Sequence, residues 1–335
     1  MSKTHIGING FGRIGRSLLR QVLDRSDCEI VGINDLAPLD DLAYLLRYDS
    51  VHGRCKHEVR SEEGHLIVGD RRIPCSTHRD PAVIPWGDLG ATVVIESTGV
   101  FRAREAAAAH LGEGVERVVI SAPSKDADGT FVLGANADQY DPERHQVVSM
   151  ASCTTNCLAP LAKVLLDRFG IEHMMMTTVH AYTASQGLLD KPARKRRRGR
   201  AAALSILPTT TGAALATAKV LPALEGKVDG MAVRVPVPDG SLVDATVRLE
   251  TEVTEDSLLA ALREASEQPE MKGVLRVSDD ELVSADIVGD PHSSIIDGPA
   301  TMVLGGEGRV AKLLSWYDNE WAYAGRLVDF AVRIG

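Results

Sequence analysis

Short apolar runs alternate with longer, helix-length spacers through the first half of the chain. The runs predict strands at His5–Asn9, Glu29–Asn34, Thr92–Glu96, Arg117–Ser121 and Gln146–Ser149. These segments are apolar nearly throughout, which is typical of strands covered by helices on both faces. The alternation of strands and helices predicts an α/β fold with a Rossmann-type, doubly wound parallel sheet.

The pattern changes after residue 150. Over Leu242–Glu250 apolar and polar side chains alternate, which predicts a half-exposed antiparallel strand. Met174–Tyr182 and Met231–Val235 predict further strands. Thr254 is expected to cap a helix that runs to Gln268. The second half therefore predicts an α+β domain with a mixed, largely antiparallel sheet.

Size and composition fit two such domains. The chain has 335 residues, of which 44% are hydrophobic and 25% charged, as in globular proteins with more than one core. We predict a first domain over residues 1–152, completed by a C-terminal helix at 318–335, and a second domain over 153–317. No apolar run reaches the roughly 18 residues that span a bilayer, and no signal peptide is found. The cytoplasm is the expected location, without membrane attachment.

Charge and cysteine content narrow the function classes. The net charge of -9 argues against nucleic-acid binding, although six of the seven residues in Arg194–Arg200 are basic. The five cysteines are an odd number without framework spacing, which predicts free thiols. Cys28, Cys55 and Cys75 show no ligand spacing with the histidines, so no metal site is predicted.

A glycine-rich segment, Gly10-Phe11-Gly12-Arg13-Ile14-Gly15, follows the first predicted strand and opens a predicted helix at Arg13–Asp24. In dinucleotide-binding folds these glycines permit a tight turn, approach of a pyrophosphate, and packing of the helix on the strand. Asn34 and Asp35 end the second strand, where a carboxylate accepts hydrogen bonds from ribose and repels a 2′-phosphate. A lone GxGxxG string can be a simple glycine turn, and Asp35 alone could cap a helix. Here the preceding strand, the following helix and the acidic residue all match the dinucleotide-binding pattern, so NAD is the predicted cofactor.

A candidate nucleophile lies in the second half of the chain. Cys153 comes just before the helical pattern of Leu158–Phe169, and a helix N-terminus is expected to lower the pKa of its thiol. His180 ends an apolar run and is a candidate base and ion-pair partner. Cys153 could instead be a buried small hydrophobe, and His180 a core histidine with satisfied hydrogen bonds. Cys157 falls inside the helix and is interpreted as structural.

The chain resembles the phosphorylating glyceraldehyde-3-phosphate dehydrogenase family over nearly its whole length. The matching segments are INGFGRIGR (8–16), IND (33–35), YDSVHGR (48–54), ESTGVF (96–101), SAPSKDA (121–127), ASCTTNCLAPLAKV (151–164), MTTVHAYT (176–183), GRAAA (199–203), PTTTGAA (208–214) and WYDNEW (316–321). The resemblance implies an NAD-binding first domain and a catalytic and interface second domain. It also implies a homotetramer, in which residues 187–200 lie at a subunit interface.

The resemblance implies a covalent mechanism for an NAD-dependent aldehyde dehydrogenase of glycolysis. Cys153 attacks the aldehyde of glyceraldehyde 3-phosphate while His180 takes up the proton, and hydride passes to the nicotinamide. Inorganic phosphate then attacks the thioester on Cys153 and releases 1,3-bisphosphoglycerate. Covalent catalysis thereby divides one difficult reaction into two easier ones.

The resemblance also assigns binding residues. Residues that match the family's two phosphate sites are Ser152, Thr154, Thr183, Arg200, Thr211, Gly212 and Arg234. Residues expected at the cofactor are Gly10, Gly12, Arg13, Ile14, Gly15, Asn34, Asp35, Leu36, Arg79, Ser121, Pro192 and Asn319. Among these, Leu36 and Pro192 resemble the pair that crowds a 2′-phosphate in NAD-specific members, and Asn319 matches the amide that orients the nicotinamide carboxamide.

Several positions depart from the family pattern. Met150 replaces a usual Asn, Asp239-Gly240 replaces a usual Asn-Val pair, and Ala322 and Ala324 replace a usual Gly and Ser. None of these changes removes a catalytic group, but the alanines put the affinity for nicotinamide in doubt. Two alternatives are erythrose-4-phosphate dehydrogenase, against which Thr183 weighs, and a non-catalytic binding protein on the same fold.

Overall fold

The computed structural model describes residues 3–335, which divide into two compact units. The first unit contains the chain up to Phe131, together with Gln139–Ala151 and Ala324–Gly335. The second contains Val132–Asp138 and Ser152–Tyr323.

The first unit is built on a nine-stranded sheet. Its strands, with a separate short pair formed by β3 and β4, are β1 (Thr4–Asn9), β2 (Cys28–Asn34), β3 (Tyr48–Asp49), β4 (Gly53–Arg54), β5 (Val59–Glu62), β6 (His65–Val68), β7 (Arg71–Ser76), β8 (Val93–Glu96), β9 (Arg117–Ile120), β10 (Gly129–Thr130) and β11 (Val147–Ser149). Its α-helices are α1 (Arg13–Val22), α2 (Leu39–Arg47) and α3 (Arg104–Ala108), together with the C-terminal helix of the chain from Ala324 onward. The sheet order is β10-β11-β9-β8-β1-β2-β7-β6-β5.

All pairs from β10 to β7 in that order are parallel, which confirms the predicted Rossmann-type sheet. The central strands are fully buried at Ile6, Val94 and Val119, as expected for a sheet covered on both faces. The pairs β5–β6 and β6–β7 are antiparallel and extend the sheet at one edge. This edge was not predicted from the sequence.

The second unit is built on a mixed sheet of eight strands. Its elements are α4 (Cys153–Phe169), β12 (Ile171–Ala181), β13 (Leu207–Thr209), α5 (Ala213–Val220), β14 (Val228–Val235), β15 (Ser241–Thr254), α6 (Glu255–Ser266), β16 (Leu275–Ser278), β17 (Ser294–Asp297), β18 (Met302–Val303), β19 (Glu307–Tyr317) and the start of α7 (Trp321–Ile334). The sheet order is β13-β14-β12-β15-β19-β17-β16, with β18 paired to β19. Only β12–β14 and β16–β17 are parallel, which confirms a mixed, largely antiparallel sheet.

Side-chain caps fix the starts of two helices in this unit. Ser152 caps α4, because its Oγ accepts the N–H of Thr155 at 3.2 Å. Thr254 caps α6, as predicted, through a reciprocal pair of hydrogen bonds with Ser257. The cap on α4 makes Cys153 the first helical residue. Among the helices of residues 3–335, none is long and apolar enough to cross a membrane.

Candidate active site

The second unit brings Cys153 and His180 together. Cys153 begins α4, and His180 is the penultimate residue of β12. The Sγ of Cys153 lies 3.4 Å from the Nε2 of His180, which is hydrogen-bond distance for sulfur. The structure therefore brings the predicted nucleophile and its predicted base within hydrogen-bond distance of each other.

Burial reverses the expected ionisation of the free thiol. Burial raises the pKa of the Cys153 thiol to about 11, although the Arg234 guanidinium and the Thr154 N–H both lower it. The amide at the helix N-terminus lowers this pKa, as predicted, but burial outweighs it, so the net shift is opposite to the expected one. Burial, followed by the charge of Arg234, lowers the pKa of His180 to about 3. The resting pair is a neutral thiol beside a neutral imidazole.

Nδ1 of His180 contacts both an acceptor and a donor: the Ala181 carbonyl oxygen lies at 2.7 Å and the Nη1 of Arg234 at 2.9 Å. The tautomer that can act as a base toward Cys153 has its hydrogen on Nδ1, where the Ala181 carbonyl accepts it. Nε2 then presents its lone pair to the thiol of Cys153. Proton transfer from Sγ to Nε2 creates thiolate and imidazolium together, and the attraction between them offsets part of the cost of burying each charge.

Arg234 is the cation nearest to this pair. It lies on β14 directly across from His180 on β12. Its Nη1 donates to the Ala181 carbonyl at 2.7 Å and lies 2.9 Å from His180 Nδ1. The same nitrogen is 3.5 Å from the Oγ1 of Thr183. The structure thus groups Arg234 and Thr183, two residues predicted to bind the phosphate of the substrate.

Ser152 and Thr154, which are also predicted phosphate ligands, flank Cys153 at the start of α4, and the other three lie in later segments of the second unit. Thr211 and Gly212 precede α5, and the Oγ1 of Thr211 accepts the N–H of Ala213 at 3.1 Å. Arg200 is exposed, and its Nε donates to Asp190 at 2.9 Å. Arg200 is therefore engaged by a carboxylate and not grouped with Arg234.

Tyr317 is a buried residue of the site that sequence reasoning missed. Its hydroxyl lies 2.8 Å from the Oγ1 of Thr154 and 2.9 Å from the Oγ1 of Thr178, and its ring meets His180 edge-on. Burial raises the pKa of Tyr317 well above its usual value, so the hydroxyl stays protonated and can donate. Tyr317 belongs to the WYDNEW segment (316–321), which matches the family. The match gave no indication that its hydroxyl contacts residues of the site.

The first unit contains a cavity of about 330 Å³ at the carboxyl ends of β1, β2 and β8. The lining residues are Asn9, Gly10, Gly12, Asn34, Asp35, Leu36, His78, Arg79, Ser97, Thr98, Val100 and Phe101. Ligands bind at the carboxyl ends of strands in sheets of this class. Six predicted cofactor residues therefore share one cavity: Gly10, Gly12, Asn34, Asp35, Leu36 and Arg79.

The glycines of this cavity fit a dinucleotide. Gly10 has a φ of +95°, and a Cβ there would lie 2.6 Å from the backbone nitrogen of Thr98. A Cβ at Gly15 would lie 2.2 Å from the carbonyl oxygen of Gly10. No atom lies within 4 Å of a Cβ built at Gly12, so the backbone there is open to a ligand. These are the three roles expected of the glycines when a pyrophosphate binds.

Asp35 also has a structural role. Its carboxylate accepts the N–H of Phe11 at 2.7 Å and that of Ala37 at 2.9 Å, which fixes the glycine turn against β2. The remaining predicted cofactor residues do not line the cavity: Arg13, Ile14, Gly15, Ser121, Pro192 and Asn319. Of these, Arg13 pairs with Asp49, and Pro192 is exposed.

Comparisons with known proteins agree on one family. A model of the C-terminal domain of glyceraldehyde 3-phosphate dehydrogenase matches residues 152–319, and a model of its NAD binding domain matches residues 4–104. The glyceraldehyde-3-phosphate dehydrogenase of Streptomyces coelicolor is 53% identical over 331 residues, which cover 98% of both chains. That of Geobacillus stearothermophilus is 53% identical over 98% of this chain and 97% of its own. The chain belongs to the glyceraldehyde-3-phosphate dehydrogenase family.

Three positions that depart from the usual sequence of the glyceraldehyde-3-phosphate dehydrogenase family lie in a tight turn or are buried: Gly240, Ala322 and Ala324. Gly240 has a φ of +79°, and a Cβ there would lie 2.1 Å from the carbonyl oxygen of Ser284. The turn before β15 therefore requires glycine where the family usually has Val. Ala322 and Ala324 are 2% and 0% exposed, so each small side chain is enclosed.

Proposed function

We propose that the protein oxidises glyceraldehyde 3-phosphate to 1,3-bisphosphoglycerate with NAD and inorganic phosphate, as a glycolytic enzyme. The observation that carries this proposal is the 3.4 Å contact between Cys153 Sγ and His180 Nε2 in a member of this family. The relatives from Streptomyces coelicolor, Geobacillus stearothermophilus and Bacillus subtilis bear the name of this activity. Erythrose-4-phosphate dehydrogenase and a non-catalytic role are not favoured.

The first half-reaction forms a thioester on Cys153. The Sγ–C bond forms as the thiol proton moves to Nε2 of His180. His180 then gives this proton to the aldehyde oxygen, which completes the thiohemiacetal and leaves the imidazole neutral again. His180 then accepts the hydroxyl proton as the carbon loses hydride. NAD supplies the hydride acceptor. The Ala181 carbonyl keeps Nε2 directed at the sulfur in both steps, since it holds Nδ1–H.

The second half-reaction transfers the acyl group to phosphate. An oxygen of inorganic phosphate bonds to the thioester carbon, and the C–S bond breaks to return the thiol with a proton from His180. We assign the attacking phosphate to Ser152, Thr154, Thr211 and Gly212. We assign the substrate phosphate to Thr183 and Arg234, and we assign Arg200 as a further phosphate-contacting arginine. Hydroxyl, amide and guanidinium donors are those that phosphate oxygens require.

We assign NAD to residues of both predicted domains. Residues 1–152 with 318–335 form the proposed NAD-binding domain, and 153–317 the proposed catalytic and interface domain. Within the first, the cavity beside Gly12 and Asp35 is the proposed place of the dinucleotide. Asn319 is assigned to the nicotinamide carboxamide, and Leu36 and Pro192 to exclusion of a 2′-phosphate. We place the protein in the cytoplasm, since Cys28, Cys55, Cys75, Cys153 and Cys157 are all free.

We propose that the protein assembles as a homotetramer. Large apolar side chains are exposed in and near the predicted interface segment 187–200: Leu188, Leu189, Leu204 and Ile206 are 77%, 74%, 84% and 70% exposed. Exposed apolar clusters of this kind mark interaction surfaces. The basic run Arg194–Arg200 follows in the same segment, and Arg196–Gly199 forms a 3-10 turn beside β13. Within this turn Arg198 donates to the neutral Oγ1 of Thr209 at 3.1 Å.

Replacing Arg196 and Arg197 together by alanine is expected to weaken assembly by about tenfold, because partner carboxylates would lose their cations. Binding of a single-stranded RNA oligonucleotide should change less. Analytical ultracentrifugation measures the first quantity and filter binding the second. The control is the double variant Arg60→Ala/Arg72→Ala, which removes two cations from the β5–β7 edge. If the double variant loses RNA binding and assembles as before, the basic run binds RNA and not a partner subunit.

The assay for the proposed reaction follows NADH absorbance with protein, NAD, glyceraldehyde 3-phosphate and phosphate. Sustained NADH formation is expected only when phosphate or arsenate is present. Without either anion the thioester on Cys153 stays in place, so one NADH per site should form and turnover should stop. Sustained turnover at the same rate without both anions would refute the phosphorolytic mechanism.

A further inference from the structure

The hydroxyl of Ser241 connects the backbone beside the catalytic imidazole to the side-chain amide of Asn319. Ser241 is the first residue of β15, which lies between β12 and β19 in the sheet, and it faces Tyr317 across the β15–β19 pair. Its Oγ accepts the N–H of Ala181 at 3.0 Å. The same Oγ donates to the Oδ1 of Asn319 at 2.5 Å. Ser241 is fully buried, so water does not compete for either bond.

These two contacts fix which atom of the Asn319 amide faces Ser241. The hydroxyl has a single hydrogen, and the N–H of Ala181 already occupies one of its lone pairs. In the structure this hydrogen is donated to the Oδ1 of Asn319. The atom of Asn319 that faces Ser241 is therefore Oδ1. Nδ2, the donor of the amide, is turned away from Ser241.

The backbone at both residues is held by other contacts. Asp318 accepts the N–H of Glu320 at 2.8 Å, of Trp321 at 2.6 Å and of Gly289 at 2.7 Å, which anchors the chain next to Asn319. Gly240 adopts the positive φ of +79° that the turn before Ser241 requires. The Ser241 hydroxyl is therefore not needed to hold the chain at these points. Its specific effect is on the rotation of the Asn319 amide.

We propose that Ser241 is a positioning residue for hydride transfer, because its hydroxyl turns the Nδ2 donor of Asn319 toward the carboxamide of NAD. This inference rests on the proposed function, in which Asn319 contacts that carboxamide. An amide without a partner at Oδ1 presents its donor or its acceptor with similar ease, so part of the binding free energy is lost in ordering it. Ser241 orders the Asn319 amide before the cofactor binds, so this part of the binding free energy is not lost.

The test compares Ser241→Ala with a matched control in the complete chain. The variant is expected to raise the KM for NAD by about fivefold, the effect of one net hydrogen bond. The variant also removes the acceptor of the Ala181 N–H beside His180, and two measurements report that effect separately. The KM for glyceraldehyde 3-phosphate, and the rate at which iodoacetamide alkylates Cys153 without NAD, should stay within about twofold if Ser241 acts through Asn319. Ser315→Ala is the control. Ser315 is also a fully buried serine, it lies on the neighbouring strand β19, and its hydroxyl contacts Ser294. It should lower thermal stability without changing the KM for NAD.

A double-mutant cycle decides whether Ser241 acts through Asn319. If it does, Ser241→Ala has no further effect on the KM for NAD in the Asn319→Ala background, and Ser241→Thr, which keeps the hydroxyl, restores the wild-type value. If Asn319→Ala raises this KM but Ser241→Ala does not, or if the two effects simply multiply, the inference is wrong and the proposed function stands. If Asn319→Ala itself has no effect, the assignment of Asn319 fails, and the inference fails with it.

A further variant tests the amide orientation without changing Ser241. Asn319→Asp keeps an acceptor for the Ser241 hydroxyl and removes the Nδ2 donor. It is expected to raise the KM for NAD at least as much as Asn319→Ala. An unchanged KM for NAD would show that Oδ1 faces the cofactor and would overturn the inference, even if Ser241→Ala does not fold.

Discussion

Replacing Cys153 by alanine is expected to abolish phosphate-dependent NADH formation, with a loss of at least about 10⁴-fold in kcat. Both half-reactions pass through a bond to Sγ, so no other described group can substitute for it. The fold should be retained, because Cys153 occupies the first position of α4 and Ser152 supplies the cap. The measurement is kcat for glyceraldehyde 3-phosphate at saturating NAD and phosphate.

Cys157 provides the matched control for this prediction. It lies one helical turn further along α4, is fully buried, and its Sγ is 3.2 Å from the Oγ of Ser315. Burial raises the pKa of its thiol to about 12, which makes it less reactive than an exposed thiol. Cys157→Ala should keep kcat within about threefold and lose about 1 kcal/mol of stability. Equal loss of activity in both variants would mean that the Cys153 result reflects damage to α4 and not removal of the nucleophile.

The sequence predicted the central strands of the first sheet because each of them has one strong apolar pattern. Strands β1, β2, β8, β9 and β11 are short and apolar, and their bounds differ from the predicted ones by at most one residue at each end. The edge strands β5–β7 were missed because charged residues such as Arg60, Glu62 and Arg72 interrupt any periodicity. Pairing at an edge depends on neighbouring backbone, which a local pattern does not record.

The site was only partly predictable, for a different reason. Motifs marked Cys153, His180 and Arg234, but their grouping depends on the pairing of β12 with β14, which lies outside any local segment. The helix N-terminus, whose amide lowers the pKa of Cys153, can be inferred from the sequence, whereas the burial that outweighs it and raises this pKa cannot. Ser241 was missed for the same reason: its partners Ala181 and Asn319 are distant along the chain.

His180→Asn should slow both the turnover and the chemical modification of Cys153 at neutral pH. Asparagine can still donate to the Ala181 carbonyl, but it removes the Nε2 acceptor beside the thiol. General-base assistance of this kind contributes roughly 10²- to 10⁴-fold, so kcat should fall by about that factor. Because the raised pKa of Cys153 leaves the unassisted thiol protonated, alkylation by iodoacetamide at pH 7 should also slow by at least about tenfold.

The pH dependence separates this role from a structural one. Without a base the thiolate must form by ionisation alone, so alkylation of His180→Asn should rise about tenfold per pH unit through neutral and mildly alkaline pH. The rise should continue toward the thiol pKa of about 11, and the difference from the wild-type protein should shrink along it. His173→Asn, an exposed histidine near the start of the same strand β12, is the control and should follow the wild-type profile. A His180→Asn profile parallel to wild type at all pH values would mean that the imidazole does not take the proton of Cys153.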